Sequence, residues 1–426
     1  MFSPSRFRHL AAAVSLLAMT GCSTTSGKPV IGNPEEPYPL SSAPKVGDII
    51  HLPTGVLVTP EQMKKVATDA RVVYVGETHD NPASHRLELE MLKALEERYP
   101  GKVALGMEMF TRSQQPVLDR WSAGELDEKT FVKDSRWFDS WKMDFGYYRD
   151  LLLYAKAKRI PIIGLNAEKS LVQAVRSKNL EELTPEEKAQ LPELDLSDPY
   201  QRAQTESIFA GHSHGKMAVE GFLRAQTLWD DTMAESAARF LESPQGQDRH
   251  LLVVAGGNHV GHGFGIPRRV FRRLPTSYVT IGGHEVIVTR QTAPQTMDVE
   301  IPGFPMVAFD FLVNFAYEEL PKSDVMLGVA FDADPSKRGL LVKSVIPESN
   351  AARAGVKEGD LLLNLDGEPL TEAFDLVYAV KQKHAGDRGT LKLERNGEPL
   401  SVEVEFKQSK PYQHGKQENA APKKAP

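Results

Sequence analysis

The chain has 426 residues, 41% of them apolar and 25% charged, with a formal net charge of −6 and a single cysteine. That length suits two domains with cores of their own. Mild acidity argues against nucleic acid as a partner, and one cysteine leaves stability to cores instead of intrachain cross-links.

Residues 1–21 read as a secretory signal. Arg6, Arg8 and His9 form a positive region, Leu10 to Met19 is too short an apolar stretch to span a bilayer, and Thr20-Gly21 is a small pair. Cys22 follows, and Met19-Thr20-Gly21-Cys22 resembles a bacterial lipobox. The resemblance implies acylation of Cys22, a firm membrane anchor. Ser23, and no Asp, follows the cysteine, which in Gram-negative lipoproteins suggests the outer membrane, here facing the periplasm. Residues 22–44, rich in Ser, Thr, Gly and Pro, read as a flexible tether. No other stretch is long and apolar enough to cross a membrane.

From residue 45 the pattern turns globular. Val72–Val75, Val103–Met107, Ile160–Leu165, Leu251–Ala255 and Tyr278–Ile281 read as buried strands. Asn81-Pro82 looks like a helix cap, and Leu87, Met91, Leu92 and Leu95 mark one helical face. Leu151 to Lys158 and Leu228 to Leu241 are helical in pattern, and the acidic stretch 179–197 reads as an excursion. Strands alternating with helices predict an α/β fold with a largely parallel sheet and flanking helices over residues 45–320. Around Pro321-Lys322-Ser323-Asp324 the character changes to short strands and tight turns, a small mostly-β domain over 324–406. Residues 407–426, rich in Lys, Gln, Pro and Ala, read as a disordered tail.

The predicted strands end in polar residues. The first runs into Gly76-Glu77-Thr78-His79-Asp80, the second into Glu108, the third into Asn166 and Glu168, and the fourth into Gly256-Gly257-Asn258-His259. In an open parallel sheet the ligand crevice lies outside the carboxyl ends of the strands. Glu77, His79, Glu108 and His259 are therefore candidate catalytic or metal-ligating residues, a set that suits Zn²⁺, Mn²⁺ or Fe²⁺ and metal-bound water with a carboxylate base. His212 and His214, in Gly211-His212-Ser213-His214-Gly215, are further candidate ligands. Asn166 and Glu168 read as structural. His262 sits in ordinary turn chemistry; His85 lies in the first turns of a helix, His51, His250 and His284 lack a constellation, and these four read as structural. The turn from Gly263 to Arg269 could hold an anion, such as a carboxylate, phosphate or haem propionate, through its arginines.

These residues resemble the ChaN-like haem-binding uptake family of the Tiki superfamily. The matching pieces are Gly76-Glu77-Thr78-His79, Gly106-Met107-Glu108-Met109, Gln226 with Asp231-Thr232-Met233-Ala234, Gly257-Asn258-His259-Val260 and Gly265-Ile266-Pro267-Arg268. The resemblance implies an α/β fold, an iron-regulated bacterial surface lipoprotein, and haem or iron binding, with a homodimer as one form. The wider superfamily includes metallohydrolases, in which positions like Glu77, His79, Glu108 and His259 form the centre. Tyr148, Tyr147 and Arg268 are candidates for contacting haem; Tyr148 best fits the family's tyrosine before a helix.

Residues 324–406 resemble a PDZ domain through Met326-Leu327-Gly328-Val329, Gly339-Leu340-Leu341-Val342, Ala351 to Val356 and Gly359-Asp360-Leu361. The resemblance implies that the backbone around Leu327, Gly328 and Val329 receives a protein C-terminus or an internal peptide added as a strand. No serine-protease core accompanies it. Three functions stay open: a haem-binding lipoprotein that docks a partner through its PDZ domain, a metal-dependent hydrolase whose PDZ domain presents substrate, and an adaptor without activity.

Overall fold

The computed structural model of the chain describes residues 40, 42–210, 216–287, 303–321, 325–334 and 338–408. The signal, Cys22, most of the tether, His212, His214 and the tail from residue 409 lie outside the described residues. No helix among the described residues is long and apolar enough to cross a membrane.

Eight strands form the first sheet: β1 (Ile49–His51), β2 (Val56–Val58), β3 (Val72–Glu77), β4 (Val103–Thr111), β5 (Ile162–Asn166), β6 (His250–Gly256), β7 (Tyr278–Ile287) and β8 (Phe311–Ala316). Their order is β2-β1-β8-β7-β3-β6-β4-β5. From β8 to β5 every pairing is parallel, and β1 runs antiparallel to β2 and β8. The five predicted strands are present, and three more extend the sheet: β8, parallel to β7, then β1 and β2 in antiparallel pairing. β1 and β2 are three residues each, too short to show period-2 alternation.

β3 lies at the centre with every residue buried. Its register places Glu77 beside Gly256 of β6 and Gly76 beside Gly282 of β7. Helices cover both faces. On one, the helix Pro82–Arg98 buries Leu87, Met91, Leu92 and Leu95, as the stripe predicts. Asn81 caps it, its side-chain oxygen accepting from the Ala83 N–H at 3.0 Å while its amide donates to Glu285 at 2.9 Å. On the other, the helix Lys216–Glu242 buries Met233, Ala234, Ala237 and Leu241 against β3 and β6.

The acidic excursion is tied down by charge. Asp231, fully buried in that second helix, accepts from the Asp195 N–H at 2.9 Å and lies 3.2 Å from Arg269 and 3.0 Å from Arg273. Arg269, itself buried, donates to Gln201 at 2.6 Å.

The second domain is a six-stranded antiparallel sheet: β9 (Val329–Ala333), β10 (Leu340–Val345), β11 (Leu361–Leu365), β12 (Glu368–Pro369), β13 (Arg388–Arg395) and β14 (Glu398–Glu405), in the order β14-β13-β11-β10-β9 with β12 beside β11. β9 is therefore an edge strand. Asp360 holds the sheet's corner through two 2.7 Å bonds from Arg395. The helix Ala373–Lys381 rests on the first domain. Phe374 stacks on Phe138 at 6.0 Å, Lys129 pairs with Asp375 at 3.0 Å, and Tyr378 donates to Glu128 at 3.3 Å.

Replacing Asp231 with Ala leaves buried Arg269 without its counter-charge. Loss of one partner of a buried pair costs about 3–5 kcal/mol, so urea unfolding of Asp231→Ala should show a drop of that order with no change in the PDZ domain's own transition.

Candidate functional site

Four parallel strands deliver polar side chains to one edge, and the structure brings them together as two linked clusters. The first surrounds Glu77 at the end of β3. Its Oε1 accepts from His79 Nδ1 at 2.5 Å and from the Tyr148 hydroxyl at 2.8 Å. Its Oε2 lies 3.2 Å from His85 Nδ1, and the same nitrogen lies 3.2 Å from Glu88 Oε2. The Glu77, His85 and Glu88 side chains are almost wholly out of water. Trp141 closes the cluster from above, its ring edge-on to His79 at 5.0 Å and its N–H donating to Tyr148 at 3.2 Å.

The second cluster joins β4 to β6. Glu108 Oε2 accepts from the Gly256 N–H at 2.7 Å, and Glu108 Oε1 lies 3.4 Å from His259 Nε2. His259 donates through Nδ1 to buried Asp230 at 2.6 Å, and Asp230 in turn accepts from Gln201 at 2.6 Å. Gly256 separates the two clusters. A Cβ there would sit 3.1 Å from the His79 ring and 3.6 Å from Glu108, so any larger residue would press on the His79 ring.

Electrostatics follow from burial against pairing. Burial works to raise Glu77, but its bonds to His79 and His85 outweigh it and hold the carboxyl far below its ordinary range. Burial works to lower His79, yet Glu77 lifts it to about 9. His85, between two carboxylates, is pushed up to about 11 against burial. Glu88 is raised to about 8, chiefly by burial. In the second cluster burial opposes both charges, yet Glu108 is lowered by His259, and His259 is raised well above its ordinary value by Glu108 and Asp230. Tyr148, raised strongly by burial and by Glu77, stays a phenol.

A cavity of about 220 Å³ opens on Glu108, walled by Trp141, Asn166, Phe222 and Trp229 with Lys169 and Arg176 among its lining residues. Asn166 donates to the Glu108 carbonyl at 3.0 Å and Glu168 accepts from the Ser113 N–H at 3.1 Å, both structural tasks.

Glu77, His79, Glu108 and His259 thus share one strand edge, as pairs bridged at Gly256. His85, read as a structural residue in the first turns of a helix, instead joins Glu77 and Glu88. The signal was present: Glu88 lies four residues before Leu92 and seven before Leu95, on the buried stripe, and His85 is one turn earlier. Tyr148 points inward to Glu77, and Tyr147 is half-buried with its ring 5.4 Å from that of His85. Arg268 is paired with buried Asp198. His262 has positive φ of 55°. Its ring stacks on Phe264 at 5.4 Å and meets Phe304 edge-on at 4.9 Å, and its Nδ1 is buried with no hydrogen-bond partner among the described residues. In the second domain Gly328 has φ of +84° and its carbonyl accepts from Ile346 at 2.9 Å, shaping the turn into β9.

Residues 63–270 match the family model for haem-binding uptake proteins of the Tiki superfamily, ChaN, and residues 325–406 match the PDZ domain model. The solved structure of Campylobacter jejuni ChaN with cofacially bound haem superposes with a TM-score of 0.50 and 16% identity, covering 66% of this chain and all of that one. The chain thus carries a ChaN-family α/β domain followed by a PDZ domain. Among curated proteins, the Escherichia coli periplasmic pH-dependent serine endoprotease DegQ is 32% identical over 153 residues, 36% of this chain and 28% of that one. The periplasmic serine endoprotease DegP of the same organism is 28% identical over 159 residues, 37% of this chain and 27% of that one. The match therefore spans little more than a quarter of either protease.

Removing the Tyr148 hydroxyl deprives Glu77 of a donor and the Trp141 N–H of an acceptor. Hydrogen bonds to charged groups are worth about 1.5–3 kcal/mol, so Tyr148→Phe should lose stability of that order in equilibrium unfolding.

Proposed function

We propose that this chain is a bacterial lipoprotein, acylated at Cys22 and held at the periplasmic face of the outer membrane. In this reading its ChaN-family domain binds haem and its PDZ domain captures a partner's C-terminus or an internal peptide. The observation that carries it is the match of residues 63–270 to the haem-binding uptake family. The leader and lipobox-like sequence support the compartment, as do the periplasmic proteases that share part of the chain.

The residues fit an iron porphyrin best at His262. Haem iron takes a neutral imidazole or a tyrosinate. Burial lowers His262 and keeps it neutral, whereas burial and nearby carboxylates raise Tyr147 and keep it protonated. A positive φ on a non-glycine residue is a strain that clusters at ligand sites. Phe264, Phe304 and the exposed ring of Tyr200 supply apolar contact beside it. Haem would bring redox-active iron; the chain's part is to ligate it and shield its faces.

For the PDZ domain, β9 is an edge strand whose outer side has no strand partner among the described residues, and the turn at Leu327, Gly328 and Val329 leads into it. An added strand ending in a carboxylate at that turn uses the edge directly.

A second reading, metal-dependent hydrolysis at Glu77, His79, Glu108 and His259, draws support from the cavity that reaches Glu108. Its volume suits a small substrate only.

Titrating the purified chain with haem should give a saturable Soret shift that weakens about tenfold or more in His262→Ala and persists in Tyr148→Phe. No saturable shift in the wild type would sink the haem reading; ester cleavage with added Zn²⁺ or Mn²⁺, lost in His259→Ala, would replace it.

A fluorescently labelled peptide with a free apolar C-terminus should bind the full chain. Amidating that terminus should weaken binding, since the carboxylate is the group the turn receives; equal affinity for both forms would leave only internal-peptide recognition.

A further inference from the structure

The cluster under β3 holds three ligand-type side chains that haem binding does not use. Glu77, His85 and Glu88 each offer one atom, all within 4.8 Å of one another, and all three residues are buried. Hydrogen-bond direction decides the His85 tautomer. Its Nε2 lies 3.1 Å from the His79 carbonyl oxygen, which can only accept, so Nε2 carries the hydrogen. In the neutral ring Nδ1 is then a lone pair. It faces Glu77 Oε2 and Glu88 Oε2, each at 3.2 Å. With the ring neutral, three electron-rich atoms point at one place, and either a proton on Nδ1 or a metal ion in its stead relieves them.

The distances suit a metal. A tetrahedral ion with ligands at about 2.1 Å keeps them about 3.4 Å from one another, close to the two Nδ1–oxygen separations of 3.2 Å. A ligating histidine that donates its other N–H to a backbone carbonyl is the usual outer arrangement of such sites. A further oxygen points to a missing ligand: Glu88 Oε1 is also buried, with no hydrogen-bond partner among the described residues.

We propose that Glu77, His85 and Glu88 bind one divalent transition-metal ion between β3 and the helix Pro82–Arg98. One imidazole and two carboxylates favour Zn²⁺ or Mn²⁺ over Mg²⁺ and Ca²⁺, which prefer all-oxygen shells. The ion is enclosed, so its work is structural. It clamps the helix to the strand and aims Glu77, whose other oxygen holds His79 and Tyr148. This centre shares only Glu77 with the strand-edge quartet and stands whether or not haem binds.

The test uses the full chain free of haem, stripped with chelator, dialysed against ZnCl₂ or MnCl₂, gel-filtered and assayed for metal by mass spectrometry. One ion per chain should be retained and the thermal midpoint should rise. Glu88→Gln, which keeps the side chain's shape, and His85→Ala should each weaken retention by more than about tenfold, while His259→Ala keeps a full equivalent. Absence of retained ion in the wild type, with an unmoved midpoint, overturns the proposal: a proton then fills the gap as an imidazolium. Metal lost in His259→Ala but kept in Glu88→Gln overturns it too, and assigns the ion to the quartet. Soret titration of Glu88→Gln separates this centre from haem binding, which should be unchanged.

Discussion

The constraint on which the site depends is the burial of one carboxylate. Glu77 ends the central strand with its side chain wholly out of water. An isolated buried charge costs several kcal/mol or more, so the fold has to surround it with donors. It draws His79 from its own loop, His85 from the following helix and Tyr148 from the helix Gly146–Ala157. Each donor comes from a different element, so satisfying one charge fixes the relative placement of all of them. Trp141 is held in the same way, through Tyr148, and forms a wall shared by His79 and the cavity on Glu108.

Glycine makes the crowding possible. Gly76 lets the strand end approach Gly257, where a Cβ would meet its backbone at 3.1 Å, and Gly256 spaces the two clusters. The PDZ domain touches the same region indirectly. Its helix Ala373–Lys381 rests on Glu128, Lys129 and Phe138, and Phe138 lies in the short helix Trp137–Ser140 that leads into Trp141. Two modules with separate cores thus meet through a stacked ring pair and a few ion pairs, one of them well shielded at Asp375.

Much of the fold was legible because its signals are local. A parallel strand buried on both faces must be apolar throughout, which Val72–Val75 and Leu251–Ala255 display. An Asn-Pro cap and a four-leucine-type stripe specify the helix Pro82–Arg98 without reference to anything distant. The short antiparallel edge was not legible, since three-residue strands carry no period and exist only because β8 offers them an edge. The strand-end residues Glu77, His79, Glu108 and His259 were readable as candidates because each follows its own strand. Their division into two pairs was not, because it rests on register between strands far apart in the chain. Asp230 and Glu88 went unread for a related reason: Asp230 looks like an ordinary helical acid until the opposite wall supplies His259, and Glu88 looks like one until Glu77 of β3 meets it and His85.

The sequence by itself determined which residues could be strand ends, where the α/β domain gives way to the PDZ domain, and which family motifs the chain carries. Each of these is written in neighbouring side chains. Only the tertiary structure decided that His85 faces two carboxylates, that Tyr148 points inward, and that Arg268 and Arg269 are already paired with Asp198 and Asp231. The physical reason is that a polar side chain's role depends on what it meets once water is removed. Partners such as Glu77 and Tyr148, 71 residues apart in the chain, are chosen by packing and not by sequence proximity.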